Sequence, residues 1–306
     1  IAAVGEVIPF CDIRIDGIGI GSTFNEVYEK FGKPSSISTY SLGYNVTEVY
    51  YSFETDEEGY VVTFRSTPIC NKTKKEKSKN LKERQHYLLT DLDRTMVFSK
   101  RFFKEGEDLL PTEFQNGEVI SYMTKEALRI VEEESSFIIP TTTRTLAEFK
   151  RVKPFQKCEW AIVGNGSIIL HKGSILEEWS EHIEKVTNPL SEEYDFFVNW
   201  MNSTFQDVLE CKAEIVEKFV FAKIKEGEQE AVKKKMAELN YSNWQFAIQR
   251  RKVYLMPKEV SKEAAAKYVI QQIGEDNHFY FAGDGILDVK LLNLSVKHLN
   301  GCAFSP

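Results

Sequence analysis

Short apolar runs that stop abruptly at polar or glycine-containing stretches recur in the chain after residue 86. The runs are residues 87–90 (YLLT), 137–140 (FIIP), 160–163 (WAIV) and 279–282 (FYFA). Their length and composition predict short buried strands. Residues 124–133 and 145–152 lie between these runs and have the composition of helices. The alternation of strand and helix predicts an α/β fold built on a Rossmann-like parallel sheet.

Residues 175–252 interrupt this alternation with a pattern of their own. The predicted order is helix 192–209, strand 213–224, helix 226–239 and strands 243–248 and 252–256. A segment of this length can form its own domain, so we expect an inserted α/β domain between two pieces of the core, residues 86–174 and 253–306. The residues expected in the interior of the insertion are Trp200, Phe205 and Trp244. No clear helix is predicted after residue 291.

The first 70 residues predict a small α+β domain of unknown role. Helix 23–31 has one apolar face, with Ser22 as its N-cap and Gly32 just after its end. The strands predicted around it are residues 11–15, 36–40, 47–53 and 60–64. A basic, apolar-poor run follows, and we expect residues 71–85 to form a solvated linker. A basic patch for an anionic partner is the alternative.

Composition narrows the class of protein. The 306 residues are 42% hydrophobic and 28% charged, and the net charge of -7 argues against a nucleic-acid partner. The 5 cysteines are widely spaced without a C-x-x-C pair, which suits a reducing compartment better than a disulfide framework or a zinc site. No apolar run is long enough to cross a membrane, and residues 1–10 do not fit a signal peptide. We therefore predict a cytoplasmic protein without a membrane partner.

Two aspartates stand where the first apolar run ends. Asp91 and Asp93 are separated by one residue, and the strand before them predicts that Asp91 lies at a strand's carboxyl end. Ligands bind at this edge of open α/β sheets. Two carboxylates this close disfavour joint ionisation unless a cation or a shared proton relieves them. The pair therefore indicates either an Mg²⁺ site or one acid with a raised pKa.

Further motifs follow in a fixed order, and together they resemble those of one superfamily. They are Asp91-x-Asp93-x-Thr95, Thr142, Lys262 and Gly283-Asp284-x-x-x-Asp288. This order is similar to that of the haloacid dehalogenase (HAD) superfamily of phosphohydrolases, over roughly residues 86 to 306. The turn at Asn165 and the long insertion resemble the branch with a type-II cap, which is Cof-like or sucrose-phosphatase-like. The sequence from Asp91 to Thr95 also resembles HAD proteins of tellurium-resistance clusters.

The resemblance implies a role for each motif residue. Asp91 is expected as the nucleophile and Asp93 as the general acid and base, while Thr142 and Lys262 contact the phosphoryl oxygens. The expected Mg²⁺ ligands are Asp91, the backbone carbonyl of Asp93, Asp284 and Asp288. Residues Arg144 and Asn165 are the candidates for substrate binding. Open alternatives are Lys258 for Lys262, Thr141 or Thr143 for Thr142, and a water-mediated contact for Asp288.

The function expected from this resemblance is Mg²⁺-dependent hydrolysis of a small phosphorylated metabolite through an aspartyl-phosphate. The substrate class is a phosphosugar or a nucleotide-like compound. Phosphoryl transfer to another acceptor, as in a phosphomutase, is one alternative. The other is a binding or regulatory protein whose amino-terminal domain is the functional part and holds a protein partner. The basic residues Arg250, Arg251 and Lys252 either face an anionic substrate or form an exposed strand end.

Overall fold

The computed structural model of the chain describes residues in both its amino-terminal and its carboxyl-terminal parts. These residues are 14–15, 18–19, 23–31, 36–38, 41–46, 49–55, 61–68, 84–103, 106, 108–297 and 301–304. Most of the predicted strand 11–15 and of the predicted linker 71–85 lies outside them. Within the described ranges, no helix combines the length and the apolar composition needed to cross a lipid bilayer.

The described secondary structure comprises strands and helices in alternating groups. The strands are β1 (Arg14–Ile15), β2 (Ile18–Gly19), β3 (Ser36–Ser38), β4 (Ser41–Val46), β5 (Val49–Thr55), β6 (Val61–Pro68), β7 (His86–Thr90), β8 (Leu109–Gln115), β9 (Glu118–Thr124), β10 (Ile138–Pro140), β11 (Trp160–Val163), β12 (Ile168–His171), β13 (Ser174–Ile175), β14 (Leu209–Val216), β15 (Phe219–Ile224), β16 (Trp244–Gln249), β17 (Lys252–Pro257), β18 (His278–Ala282) and β19 (Gly301–Phe304). The α-helices are α1 (Phe24–Phe31), α2 (Lys125–Glu133), α3 (Leu146–Arg151), α4 (Glu177–Thr187), α5 (Ser191–Thr204), α6 (Gln229–Met236), α7 (Lys262–Ile273), α8 (Val289–Leu292) and α9 (Leu294–Lys297).

The amino-terminal part contains α1 and an antiparallel sheet of β3, β4, β5 and β6 in sequence order. At the start of α1, the amide of Thr23 donates to Glu26 at 2.7 Å and the amide of Glu26 donates back to the Thr23 hydroxyl at 3.3 Å. This capping box makes Thr23 the N-cap, one residue later than predicted. Strand β4 was not predicted, because it contains Gly43 and Asn45, and both residue types are depleted in strands.

A parallel sheet with the order β10-β7-β18-β19 forms the centre of the molecule. In its register Thr90 lies opposite both Pro140 and Ala282, so these strands end at the same level. Strand β11 joins beside β10 through a parallel bridge between Thr141 and Ile162. The predicted α/β class with a parallel sheet is confirmed.

The expectation of no helix after residue 291 was wrong, because α9 lies after this residue and α8 ends after it. Both helices have four residues, which is too short for a helical periodicity to appear in the sequence.

The two faces of this sheet pack into different apolar clusters. Adjacent residues of β10 show the division, because Ile139 contacts the cluster that contains Val269 and Ile270 of α7, whereas Ile138 contacts the cluster that contains Phe149 of α3. Alternation along a strand produces this two-sided burial. The sheet therefore lies between helical layers and is rigid at the edge where its strands end.

The inserted segment forms a second sheet with the order β14-β15-β17-β16, covered by α5 and α6. Phe205 and Trp244 are buried in its apolar cluster and Trp200 packs against it, as expected. The single predicted strand 213–224 is instead the hairpin β14–β15, which turns at Glu217 with φ 51°. No glycine, proline or asparagine marks this turn in the sequence. The α/β insertion is confirmed, and the exact domain boundaries stay a prediction.

Candidate active site

Asp91 directly follows the last residue of β7, and its backbone amide still forms a hydrogen bond with the neighbouring strand. Its amide donates to the carbonyl of Ala282 at 2.8 Å, and the amide of Thr141 donates to the carbonyl of Thr90 at 2.7 Å. The carboxylate is buried, with 5% of the residue exposed. These contacts hold Asp91 between the ends of β10 and β18, at the edge where ligands bind in open α/β sheets.

Lys262 is the first residue of α7 and is buried beside Asp91. Its ammonium group donates to Oδ1 of Asp91 and to Oδ1 of Asp288, each at 2.6 Å. Ser261 caps the helix by accepting a hydrogen bond from the amide of Ala264 at 3.1 Å. The structure therefore brings Lys262 to Asp91, whereas the alternative Lys258 is exposed outside this cluster.

Asp284 and Asp288 follow β18 and meet Asp91 at the same edge. All three are buried. One carboxylate oxygen from each aspartate lies within 4.8 Å of the corresponding oxygens of the other two. Asp288 is fixed by the amide of Gly285, which donates to its Oδ2 at 2.9 Å. A Cβ atom on Gly283 would lie 2.5 Å from the Cβ of Asp288, so glycine is required there. Three carboxylate oxygens at this spacing fit a hard divalent cation such as Mg²⁺.

The charges of this cluster do not balance without a further cation. Burial raises the pKa of Asp91 to about 8, against the lowering effect of Lys262. Burial also raises the pKa of Asp284, which Arg94 opposes. For Lys262, burial lowers the pKa, but Asp288 and Asp91 outweigh it and raise the value overall. Three buried carboxylates thus face one lysine and one arginine, and a bound divalent cation would relieve their repulsion.

Arg94 contributes an unexpected cation. Its backbone is left-handed, with φ 69°, and its Nη1 lies 2.8 Å from Oδ2 of Asp284. Neither this oxygen nor the Nε of Arg94 has a hydrogen-bond partner in the described part of the chain. The contact between the two side chains is therefore an ion pair whose geometry is not that of a hydrogen bond. Arg94 therefore reaches the acidic cluster from the turn that follows Asp93.

Asp93 is not part of the acidic cluster, because Arg144 holds its carboxylate. Arg144 donates from Nε to Oδ2 at 3.0 Å and from Nη2 to Oδ1 at 2.7 Å, and its Nη1 donates to Glu113 at 2.7 Å. Burial raises the pKa of Asp93. The hydrogen bonds and charge of Arg144 outweigh burial and hold this pKa below its usual value. The structure thus places the carboxylate of Asp93 with Arg144 and not with the other three carboxylates, while its backbone carbonyl stays a predicted metal ligand. It also places Arg144, a predicted substrate ligand, between two carboxylates.

The threonines after β10 have different surroundings. The Thr142 hydroxyl accepts a hydrogen bond from the amide of Arg144 at 3.2 Å and retains its own proton for donation. Thr141 donates to the carbonyl of Ile139 at 3.1 Å, and Thr143 bonds the hydroxyl of Tyr254. Of the three threonines, Thr142 alone has no acceptor for its hydroxyl proton within the described part of the chain, but it is fully buried and does not itself line the cavity.

Asn165 adopts a left-handed backbone, with φ 57°, and faces the segment before Lys262. Its Nδ2 donates to the carbonyl of Val260 at 3.1 Å and contacts the sulfur of Met256 at 3.0 Å. It is 2% exposed and does not line the cavity above Asp91. The structure therefore places this predicted substrate ligand as a support for the start of α7.

A sequence pattern that defines the haloacid dehalogenase-like hydrolases matches residues 70–298. This range includes the insertion, the acidic cluster and every strand of the parallel sheet except β19. The chain belongs to the haloacid dehalogenase-like hydrolases. This match confirms the predicted superfamily and an enzyme of the hydrolase class. The tellurium-resistance subgroup stays a prediction. No curated protein matches the chain.

Several solved structures are similar to this hydrolase at low identity. A sucrose-phosphatase from Synechocystis, in complex with sucrose and phosphate, is 15% identical over 72% of this chain and 82% of its own, with a TM-score of 0.48. The carboxyl-terminal domain of a C. albicans trehalose-6-phosphate phosphatase is 15% identical over 70% and 74%, with a TM-score of 0.46. An IMP-bound Plasmodium falciparum IMP-nucleotidase is 10% identical over 73% and 64%, also at 0.46. These values carry no argument about the substrate.

The cap of the hydrolase closes over the acidic cluster and leaves a cavity of about 1130 Å³. Cap and core meet in polar contacts: the Leu146 amide donates to Glu217 at 3.1 Å, and Lys290 donates to Gln245 at 2.7 Å. Gly285 allows Gln249 to approach, because a Cβ there would lie 2.3 Å from its side-chain nitrogen.

Sequence reasoning missed two residues of this site, Tyr254 and Glu113. Tyr254 lines the cavity from β17, and Glu113 of β8 is 1% exposed. The sequence offered little signal for Glu113, because its strand also contains the polar residues Thr112 and Gln115.

Proposed function

We propose that this hydrolase is a divalent-cation-dependent phosphatase that hydrolyses a small phosphorylated metabolite through a phosphoryl group carried on Asp91. The supporting observation is the buried Asp91 beside Asp284 and Asp288, with Lys262 bound to its Oδ1 alone. Its Oδ2 makes no hydrogen bond within the described part of the chain and faces the cavity, so it is available as the nucleophile.

The reaction divides into two displacements at phosphorus. In the first, Oδ2 of Asp91 forms a bond to phosphorus while the ester bond breaks, and the leaving oxygen takes a proton from Asp93. In the second, a water attacks phosphorus and gives a proton back to Asp93, which releases phosphate and restores the Asp91 carboxylate. Lys262 and the Thr142 hydroxyl stabilise the negative charge on the phosphoryl oxygens.

Arg144 sets the condition under which Asp93 can act. Because it occupies both carboxylate oxygens of Asp93, one of these hydrogen bonds must give way before the carboxyl group can hold a proton for the leaving oxygen. Glu113 is the second acceptor for the same guanidinium, and it keeps Arg144 in place while Asp93 changes partner.

The cation proposed for this site is Mg²⁺. Asp91, Asp284 and Asp288 would hold it, and the backbone carbonyl of Asp93 is a further candidate ligand. When bound, the ion supplies positive charge to the phosphoryl group. Lys262 does not replace it, because the ammonium group is already shared between two carboxylates.

The test is phosphate release from a panel of phosphosugars and nucleotides, with Mg²⁺ or with a chelator. We expect release from at least one compound that needs the cation and is abolished in Asp91→Asn. The matched control is Asp195→Asn, since Asp195 is an exposed residue of α5. Added acceptor alcohols separate hydrolysis from phosphoryl transfer. Equal activity in Asp91→Asn and wild type would contradict the proposal.

A further inference from the structure

Six arginines line the cavity above the acidic cluster, and three of them, from separate parts of the chain, are Arg94, Arg101 and Arg250. Arg94 lies in the turn after Asp93, Arg101 lies in the 3-10 turn Lys100–Phe102, and Arg250 lies in the turn between β16 and β17 of the cap. The first two belong to the core and the third belongs to the cap, so the arginines face one another only when the cap covers the site. Their meeting point is thus at the mouth of the cavity.

Arg94 and Arg101 contact the same aromatic ring, and the charges of both act on Arg250. The guanidinium carbon of Arg94 lies 5.7 Å from the centre of the Phe102 ring, and that of Arg101 lies 5.0 Å from the same centre. Burial lowers the pKa of Arg250, and the charges of Arg94 and Arg101 lower it further. Like charges collected in this way destabilise the free protein unless an anion joins them.

Eight acidic residues line the same cavity, and six of them pair with cations other than Arg101 and Arg250. Neither Arg101 nor Arg250 forms an ion pair within the described part of the chain, whereas the neighbouring Arg251 is paired with Glu210 at 2.6 Å. The carboxylate that acts on Arg250 is Asp284, which Arg94 already pairs. The glutamates Glu214 and Glu226 also line the cavity but form no ion pair with these arginines.

Arg250 has a left-handed backbone, with φ 58°, because it lies in the two-residue turn between Gln249 and Lys252. This turn places Arg250 at the tip of the β16–β17 hairpin, where it lines the cavity.

We propose that Arg101 and Arg250, together with Arg94, bind a second anionic group of the substrate, a phosphate or a carboxylate on the portion that becomes the alcohol product. This inference rests on the proposed function, in which Lys262 and Thr142 hold the phosphate that is cleaved at the bottom of the cavity. Guanidinium groups suit the second anion because they offer paired donors to phosphate and carboxylate oxygens.

The test compares three phosphate esters of similar size: glucose 6-phosphate, 6-phosphogluconate with its carboxylate, and glucose 1,6-bisphosphate. We expect kcat/KM for at least one of the two compounds with a second anion to exceed that of glucose 6-phosphate by about tenfold or more, as one lost charge-assisted contact would give. Higher ionic strength reduces the preference. A comparison of 6-phosphogluconate with glucose 1,6-bisphosphate shows whether the subsite favours a carboxylate or a phosphate.

The variants Arg101→Gln and Arg250→Gln are expected to remove the preference while kcat/KM for glucose 6-phosphate stays within about twofold. The matched control is Arg251→Gln, which removes the adjacent guanidinium already paired with Glu210 and should keep the preference. No preference in the wild type, or an equal loss for all three esters in Arg250→Gln, would overturn the subsite.

A binding measurement separates this inference from the proposed function. Calorimetry with Asp91→Asn gives the Kd of the same three esters without turnover. If wild type releases no phosphate from these esters or from any other compound in the panel of phosphosugars and nucleotides, the proposed function fails, while tighter binding of the doubly anionic esters still supports the subsite. If all three bind equally, the subsite is excluded whether or not the enzyme is active.

Discussion

At the scale of single residues, Arg144 controls the electrostatics of one side of the site. It binds Asp93 through two hydrogen bonds and Glu113 through a third, and Glu113 also accepts from Arg151 at 3.1 Å. Glu113 is a buried carboxylate on a hairpin that covers the site, so its charge depends on these two arginines. The same guanidinium thus stabilises the fold and sets the pKa of the predicted acid.

Replacing Arg144 should separate these two roles. We expect Arg144→Met to lower the free energy of unfolding by about 3 kcal/mol, because Glu113 loses one of its cationic partners while buried. Adding Glu113→Gln should restore most of that stability, since the amide carries no charge. Activity should stay low in the double variant, because Asp93 remains without its partner. Urea denaturation measures the first effect; a double variant as unstable as Arg144→Met would contradict this reading.

At the scale of elements, the position of Lys262 depends on how closely the turn after β11 approaches α7. Gly166 has φ 95°, and a Cβ there would lie 2.3 Å from the backbone oxygen of Ser261. The backbone of Ser261, just before α7, can approach the turn this closely because Gly166 has no side chain. Asn165 next to it holds the carbonyl of Val260, so the turn fixes the segment before Lys262 at two points.

Two glycine substitutions test this arrangement. Gly166→Ala adds a clash with backbone to the cost of the left-handed conformation, so we expect a large loss of both stability and activity. Gly173→Ala is the matched control, since Gly173 has φ 77° and nothing within 4 Å of its Cβ position. It should cost about 1 kcal/mol and leave turnover unchanged. Thermal unfolding and kcat of the two variants provide the comparison; similar effects would argue against the close approach.

The opposite ends of β7 and β18 carry a pair of histidines that should make stability depend on pH. The rings of His86 and His278 stack at 4.6 Å between centres. Burial lowers the pKa of His278, and the charges of His86 and Arg84 lower it further. At His278 the unfolded chain therefore binds more protons than the folded chain near pH 6. The contribution of this residue to stability is complete above the unfolded pKa of about 6.5 and falls as the solution becomes more acidic.

The variant His278→Asn should weaken this dependence. We expect the unfolding free energy of wild type to fall between pH 7 and pH 5 more steeply than that of the variant. Urea titrations at several pH values measure the two slopes. Parallel slopes would show that His278 does not contribute.

At the scale of the whole molecule, segments far apart in sequence meet because parallel strands end at one edge. The resemblance to the HAD superfamily predicted that Asp91, Asp284 and Asp288 would meet Lys262. The strand-end rule accounts for Asp91 and Asp284, which follow β7 and β18, and it does not account for Lys262, which begins a helix. It could not predict the partner of Asp93, because Arg144 approaches through tertiary packing that no local pattern encodes. The hairpin turn at Glu217 was missed for a local reason, as that turn contains no typical turn residue.

A divalent cation should stabilise the folded molecule if the acidic cluster binds it. At a concentration of Mg²⁺ about 100 times its Kd, we expect roughly 2.7 kcal/mol of added stability. The increase should be lost in Asp284→Asn and retained in Asp195→Asn. Thermal unfolding across an Mg²⁺ titration, in buffer without phosphate, measures it. An equal response in wild type and Asp284→Asn would place the ion elsewhere.

The central claim is that Asp91 carries the phosphoryl group during turnover. The most direct measurement is mass spectrometry of peptides from enzyme quenched in acid while it turns over a substrate. The account predicts the added mass of one phosphoryl group on the peptide that contains Asp91, and its absence in Asp91→Asn. A phosphorylated residue elsewhere, or continued turnover by Asp91→Asn, would contradict it.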